Sequence, residues 1–112
     1  MEKIAKYRQI ITSFMQEQAD IRKDREQVQT QFVKDEEGRH YQLVNVGFQK
    51  GIRIYGCFIH IDIKADGKVW IQHDGTDLEV ADILNEMGIP KDDIVLGFYE
   101  EKLRQYTDFA IA

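Results

Sequence analysis

The sequence predicts an α+β domain in the order α-β-β-β-β-α-β: an N-terminal helix, a mainly antiparallel sheet of about five strands, and a second helix before the last strand. Three observations carry this. Apolar residues in the first twenty positions recur at helical spacing. Residues 28–73 break into β-favouring runs divided by turn clusters. A capping signal at Thr76 precedes a short helical stripe and then a short apolar run.

In the first element, Ile4, Tyr7, Ile11, Phe14 and Gln18 follow a 3,4,3,4 spacing, and Ile10 and Met15 widen the stripe. The stripe ends near Asp20. The charged connector that follows, Arg22-Lys23-Asp24-Arg25-Glu26, alternates in sign and makes no basic patch. Strand-like runs then cover residues 28–33, 41–48, 52–64 and 69–73, with turn clusters at Asp35-Glu36-Glu37-Gly38 and Gln49-Lys50-Gly51. Thr76-Asp77-Leu78-Glu79 reads as a capping box, with Thr76 at the N-cap of a helix reaching Met87. Val80, Ile83, Leu84 and Met87 form its stripe, Gly88 supplies the left-handed C-terminal position, and Pro90 follows. Ile94-Val95-Leu96-Gly97-Phe98 is a short buried strand, and the tail from residue 99 onward has no assigned element.

The hairpin at Lys64-Ala65-Asp66-Gly67-Lys68 has two possible registers. A two-residue Asp66-Gly67 loop would pair Asp62 with Ile71 and set charge against the core. A three-residue loop with Gly67 left-handed pairs Ile63 with Val69 and Ile61 with Ile71. It also places Asp62 opposite Trp70 and His60 opposite Gln72, giving one dry and one polar face. The second register is adopted, with His73 on the dry face and partly buried.

The 112 residues suit a single domain, 1–112, with 43% hydrophobic and 31% charged residues, an ordinary globular balance. The first forty residues carry eight basic and eight acidic side chains. The rest carry seven against twelve, which accounts for the whole net charge of −5. An acidic body repels phosphate, so direct nucleic-acid binding is not expected. Cys57 is the only cysteine and sits in an apolar run, which fits a reducing cytoplasm. No stretch approaches the ~20 apolar residues of a membrane span.

Two chemistries compete with a plain solvated strand. His60-Ile61-Asp62 and His73-Asp74 hold transition-metal ligand types, but the adopted register sends His60 and His73 to opposite sides of the sheet. Asp62-Ile63-Lys64 has the acidic-x-Lys form of restriction-like nucleases, yet Mg²⁺ chemistry needs a second carboxylate, and the nearest upstream aspartate, Asp35, falls in a turn. Short patterns of this kind are mostly false positives, so no catalytic, metal or cofactor-binding residue is assigned. The alternative left standing is a Mg²⁺-dependent nuclease-like enzyme using Asp62 and Lys64. Tyr99, Tyr106 and Phe109 read as packing aromatics beside Glu100, Glu101 and Asp108.

The polar face of the hairpin carries His60, Asp62, Trp70, Gln72 and, at its end, Asp74, which are the candidate partner-binding residues. Interface centres are enriched in Trp within polar rims. The competing expectation has Trp70 covered by the chain's own first helix, residues 4–14.

Longer segments resemble the XisI-type fdxN-element excision controlling factors. His40-Tyr41-Gln42-Leu43-Val44-Asn45-Val46-Gly47 is similar to the family's first motif. Arg53-Ile54-Tyr55-Gly56-Cys57 with His60-Ile61-Asp62-Ile63-Lys64 is similar to the second. Gly67-Lys68-Val69-Trp70-Ile71-Gln72 with Asp74-Gly75-Thr76 is similar to the third. Gly88-Ile89-Pro90-Lys91, Ile94-Val95-Leu96-Gly97-Phe98, Arg104-Gln105-Tyr106-Thr107 and Phe109-Ala110 resemble the C-terminal block. The resemblance is collinear along the chain. It implies a cyanobacterial setting, where such proteins accompany XisH-type proteins and a recombinase that excises a DNA element during heterocyst differentiation. It further implies a non-catalytic accessory protein working with an XisH-type, nuclease-like partner, and many members look like free-standing paralogues. One departure stands out: family members usually place His after Leu-Gly-Phe, and here Tyr99 takes that position. A homodimer is also expected, because small sheets with exposed apolar residues pair.

Overall fold

The computed structural model describes residues 2–25 and 27–112. Helix α1 spans Glu2–Ile21 and is followed by strands β1 (Val28–Lys34), β2 (His40–Gln49), β3 (Ile52–Ile63) and β4 (Val69–Asp74). Helix α2 (Val80–Glu86), a 3-10 turn (Lys91–Asp93), strand β5 (Ile94–Leu96) and a short helix α3 (Glu101–Arg104) complete the chain. The five strands form one sheet in the order β1-β2-β3-β4-β5, antiparallel except that β5 runs parallel to β4. The expected α+β order is therefore the observed one. Among the described residues no helix is long and apolar enough to cross a membrane.

One face of the sheet is dry. Tyr41, Leu43, Ile59, Ile61, Ile63, Val69 and Ile71 bury against Tyr7, Ile11, Phe14 and Met15 of α1 and Leu84 of α2. The stripe of α1 therefore does what its spacing predicts, down to Gln18, which is buried and bonded through its Oε1 to Arg22. Tyr7 donates its hydroxyl hydrogen to Asp93, and Lys3 reaches the same carboxylate at 3.4 Å, so α1 is tied to the turn before β5. Burial first, then this bond and the charge of Asp93, push the Tyr7 phenol up to about 12.

Turn chemistry follows the sequence at three corners. Asp35 Oδ1 accepts the backbone N–H groups of Arg39 (2.8 Å) and His40 (3.0 Å), closing the β1–β2 connection. Lys50 and Gly51, at φ 52° and 79°, form the two-residue β2–β3 loop, a left-handed pair that matches strand twist. The β3–β4 hairpin has the three-residue loop: Lys64 and Lys68 are bonded across it, and Gly67 stands at φ 88°.

The start of α2 departs from expectation. Helical structure begins at Val80, not Thr76, and Glu79 sits just before it in the left-handed region at φ 57°. Asp74 supplants the expected capping box. Its Oδ2 accepts the Val80 N–H at 3.0 Å, while its Oδ1 takes the Thr76 backbone N–H and hydroxyl. A carboxylate is a stronger acceptor for helix N-terminal N–H groups than a hydroxyl, so Thr76 is consumed in a turn onto Leu78. Strand β5 stops at Leu96, and Phe98 is exposed. The unassigned tail returns along β5, with Val95 bridged to Ala110.

Candidate functional site

The face of the sheet opposite α1 and α2 carries four of the five candidate residues, His60, Asp62, Trp70 and Gln72, whereas Asp74 pairs with Ile59 of the dry face. Asp62 is its centre. It is 7% exposed, and Asp62 and Gln18 are the buried polar residues among those described. Its Oδ1 accepts from His40 Nδ1 at 2.7 Å and from His60 Nε2 at 2.9 Å, and its Oδ2 accepts from Gln72 Nε2 at 3.1 Å. A carboxylate can only accept, so both imidazole nitrogens donate. Burial works to raise the Asp62 carboxyl. The His40 bond, the charge of His60 and the Gln72 amide together outweigh it and hold the group below the ordinary 3.8.

Two β-bulges assemble this cluster. Counting back from the Lys50-Gly51 loop in an unbroken ladder would set His40 against Ile61. Phe58 is an extra residue, with Val44 opposite Cys57 and Leu43 opposite Ile59, so His40 meets Asp62 instead. Phe58 itself packs on the core beneath the Arg22 guanidinium, 5.0 Å from its ring centre. On the other side, Ile61 faces Ile71 but His60 faces His73, leaving Gln72 as the extra residue of β4. The pairing of Asp62 with Trp70 is as expected, and the pairing of His60 with Gln72 is not. The same bulge removes His73 from the dry face, where it was expected: it is exposed and stands opposite His60.

The five candidate residues therefore divide. His60, Asp62 and Gln72 come together. Asp74 is engaged at the start of α2. Trp70 is half-buried, but not under α1, which lies on the other face. Instead the C-terminal segment reaches over it: the Arg104 guanidinium lies 4.8 Å and the Lys64 ammonium 5.3 Å from its ring centre. Arg104 also donates to the carbonyls of Tyr99 and Ile111, both at 3.0 Å, so Trp70 is one anchor of the tail. His40 was missed by sequence reasoning because it lies twenty-two residues from Asp62, and only the bulged ladder brings them together.

The nuclease-like pair looks different in three dimensions. The Asp62 carboxylate is taken by three donors, and Lys64 turns to Trp70. Among the described residues, the convergent group of potential metal ligands is His40, His60 and Asp62, with one carboxylate.

Beyond the polar cluster the open face becomes apolar. Val44 and Cys57 form a cross-strand pair, Val46 lies opposite Tyr55, and Phe48 and Val33 extend the strip. Tyr55 is 72% and Phe48 55% exposed, with the Arg53 guanidinium 5.1 Å from the Phe48 ring centre.

Fold and site together define a small α+β protein whose sheet packs against α1 and α2 on one face and on the other bears a cluster in which His40 and His60 converge on a buried Asp62. The chain belongs to the XisI protein family, whose pattern matches residues 1–111. Among solved structures it is similar to an XisI-like protein from Anabaena variabilis ATCC 29413, with 42% identity and a TM-score of 0.89 over 97% of this chain and 99% of that one. It is also similar to the fdxN element excision controlling factor XisI from the same organism, with 31% identity and a TM-score of 0.83 over 98% and 99%. Comparison with curated proteins finds no match.

Proposed function

We propose that the chain is a cytoplasmic, non-catalytic accessory factor in DNA-element excision or a related DNA-processing step, acting by docking an XisH-type protein on the open face of its sheet. The family supports the role, since the solved relative at 31% identity is an excision controlling factor. The observation that carries the mode of action is the strip of exposed Val33, Phe48 and Tyr55, with half-buried Val44 and Val46 among them, beside a polar cluster. Apolar strips rimmed by polar groups mark protein interfaces. The net charge of −5 supports a protein partner over duplex DNA. A second copy of the chain is the other occupant this face suits, as a homodimer.

The test is a pull-down of an XisH-type protein with purified chain, alongside a gel shift on duplex DNA near physiological salt. The expected result is capture of the partner by the wild type, loss of capture by Tyr55→Asp at an unchanged melting temperature, and no DNA shift above background. A salt-dependent, sub-micromolar shift by the chain alone would overturn the proposal. So would Mg²⁺-dependent DNA cleavage that Asp62→Ala abolishes, which is the outcome expected of the nuclease-like alternative.

A further inference from the structure

We propose that His40, His60 and Asp62 form a binding site for a divalent transition-metal ion, with Zn²⁺ as the best chemical match. Nδ1 of His40, Nε2 of His60 and a carboxylate oxygen of Asp62 all lie within 4.8 Å of one another. Both imidazole nitrogens already point at the same oxygen, from 2.7 and 2.9 Å. Tetrahedral zinc with ligand bonds of ~2.1 Å separates its ligand atoms by roughly 3.4 Å. Opening the cluster by about half an ångström, which small side-chain rotations supply, makes room for the ion.

The donor set selects the metal. Two imidazoles and one carboxylate suit Zn²⁺, Cu²⁺ or Ni²⁺, whereas Mg²⁺ and Ca²⁺ favour all-oxygen sites. The surroundings are built as metal sites are built. Gln72 Nε2 holds the Asp62 oxygen that does not face the histidines, at 3.1 Å, which fixes the carboxylate's orientation. All four side chains stand on paired strands β2, β3 and β4, a rigid support. The two bulges, at Phe58 and Gln72, flank the cluster and aim its side chains. The His40 side chain is 63% exposed, so an ion can enter from solvent, and three protein ligands leave a fourth position for water.

His73, the remaining histidine of the three, provides an internal control. It stands opposite His60 in the ladder, but its Nε2 approaches Gly75, lying 3.2 Å from where a Cβ on that glycine would sit. It is absent from the convergent group.

Tag-free full-length chain, stripped with a chelator, is titrated with Zn²⁺ by calorimetry near neutral pH, with a thermal melt at each end of the titration. The wild type is expected to bind one Zn²⁺ saturably and to melt at a higher temperature when loaded. His40→Gln and His60→Gln, which keep a donor toward Asp62, should each weaken binding at least tenfold, and His73→Gln should leave it unchanged. Imidazole NMR signals of the wild type give a measurement independent of variant folding: Zn²⁺ should shift His40 and His60 and leave His73 in place. No saturable binding by the wild type, binding that survives both cluster substitutions, or zinc-induced shifts confined to His73 would each overturn the proposal.

Discussion

The two faces of the sheet are built on different physics. The helix-backed face is an alternation of apolar residues, Tyr41 and Leu43 against Ile59 and Ile61, sealed by Ile11 and Phe14, and any side chain of similar size and polarity would serve there. The open face depends on individual partners. A buried Asp62 is tolerable only because three donors converge on it, and Trp70 is shielded by two cations and the tail rather than by a second hydrophobic layer. Stability resides mainly on the first face. The second face holds the polar groups and exposed aromatics that a partner can use.

The contrast can be broken most forcefully on the dry side. Phe14 is 1% exposed, and Phe14→Ala should lower unfolding stability by about 3–5 kcal/mol, measured by urea denaturation. A loss under about 1 kcal/mol would mean that α1 does not seal that face.

On the open side the largest effect belongs to Asp62. Asp62→Ala leaves two imidazoles and an amide without their acceptor and should cost about 2 kcal/mol at neutral pH. The pH dependence has a definite sign. The folded carboxyl titrates below its ordinary 3.8, so its contribution is complete above that value and is lost as pH falls through the lower, folded value. Wild-type stability should therefore fall more steeply than that of Asp62→Ala on the acid side of pH 3.8. Parallel acid limbs would show that Asp62 is not held as described. Trp70→Ala should come close behind Asp62→Ala on the same face. A half-buried ring between Lys64 and Arg104 should lose roughly 2 kcal/mol, and the tail beyond Tyr99 should gain proteolytic sensitivity. A loss of about 3–5 kcal/mol would instead make Trp70 part of a sealed core.

A smaller effect tests the tie between α1 and the rest of the dry layer. Tyr7→Phe removes one hydrogen bond to Asp93 and should cost about 1 kcal/mol. The folded phenol is raised to about 12, so its contribution is whole below the ordinary 10.0 and disappears as pH rises through about 12. The difference between wild type and Tyr7→Phe should therefore close over that alkaline window. The smallest expected change is that of Glu79, just before α2. Glu79→Gly relieves a left-handed residue and should be neutral or stabilising by up to about 1 kcal/mol, whereas Asp74→Ala should cost about 1–2 kcal/mol. The reverse order would restore the Thr76–Glu79 capping box.

These contrasts also explain what could be seen in the sequence. Periodicity is local, so the α1 stripe, the strands and the Ala65-Asp66-Gly67 loop were legible, and near that loop the hairpin register was too. A few residues farther on, one extra residue on β4 turned the expected His60–Gln72 pair into His60–His73. Nothing in the local pattern marks a bulge, because the bulge answers to packing across strands. The same limit hid His40, whose meeting with Asp62 depends on the extra Phe58. At α2 the Thr76–Glu79 spacing was correct for a capping box, but Asp74, two residues upstream of Thr76, offered the better acceptor. The collinear XisI-type motifs needed no register at all, and the family was therefore readable where the site was not.

The account rests on the open face being the working surface, and methyl NMR on the chain mixed with an XisH-type protein reads the two faces separately. The partner should shift the methyl signals of Val33, Val44 and Val46 and leave those of Ile11, Ile61 and Ile71 unchanged. Shifts confined to the outer side of α1, at Ala5 or Ile21, with the three valines silent, would contradict it.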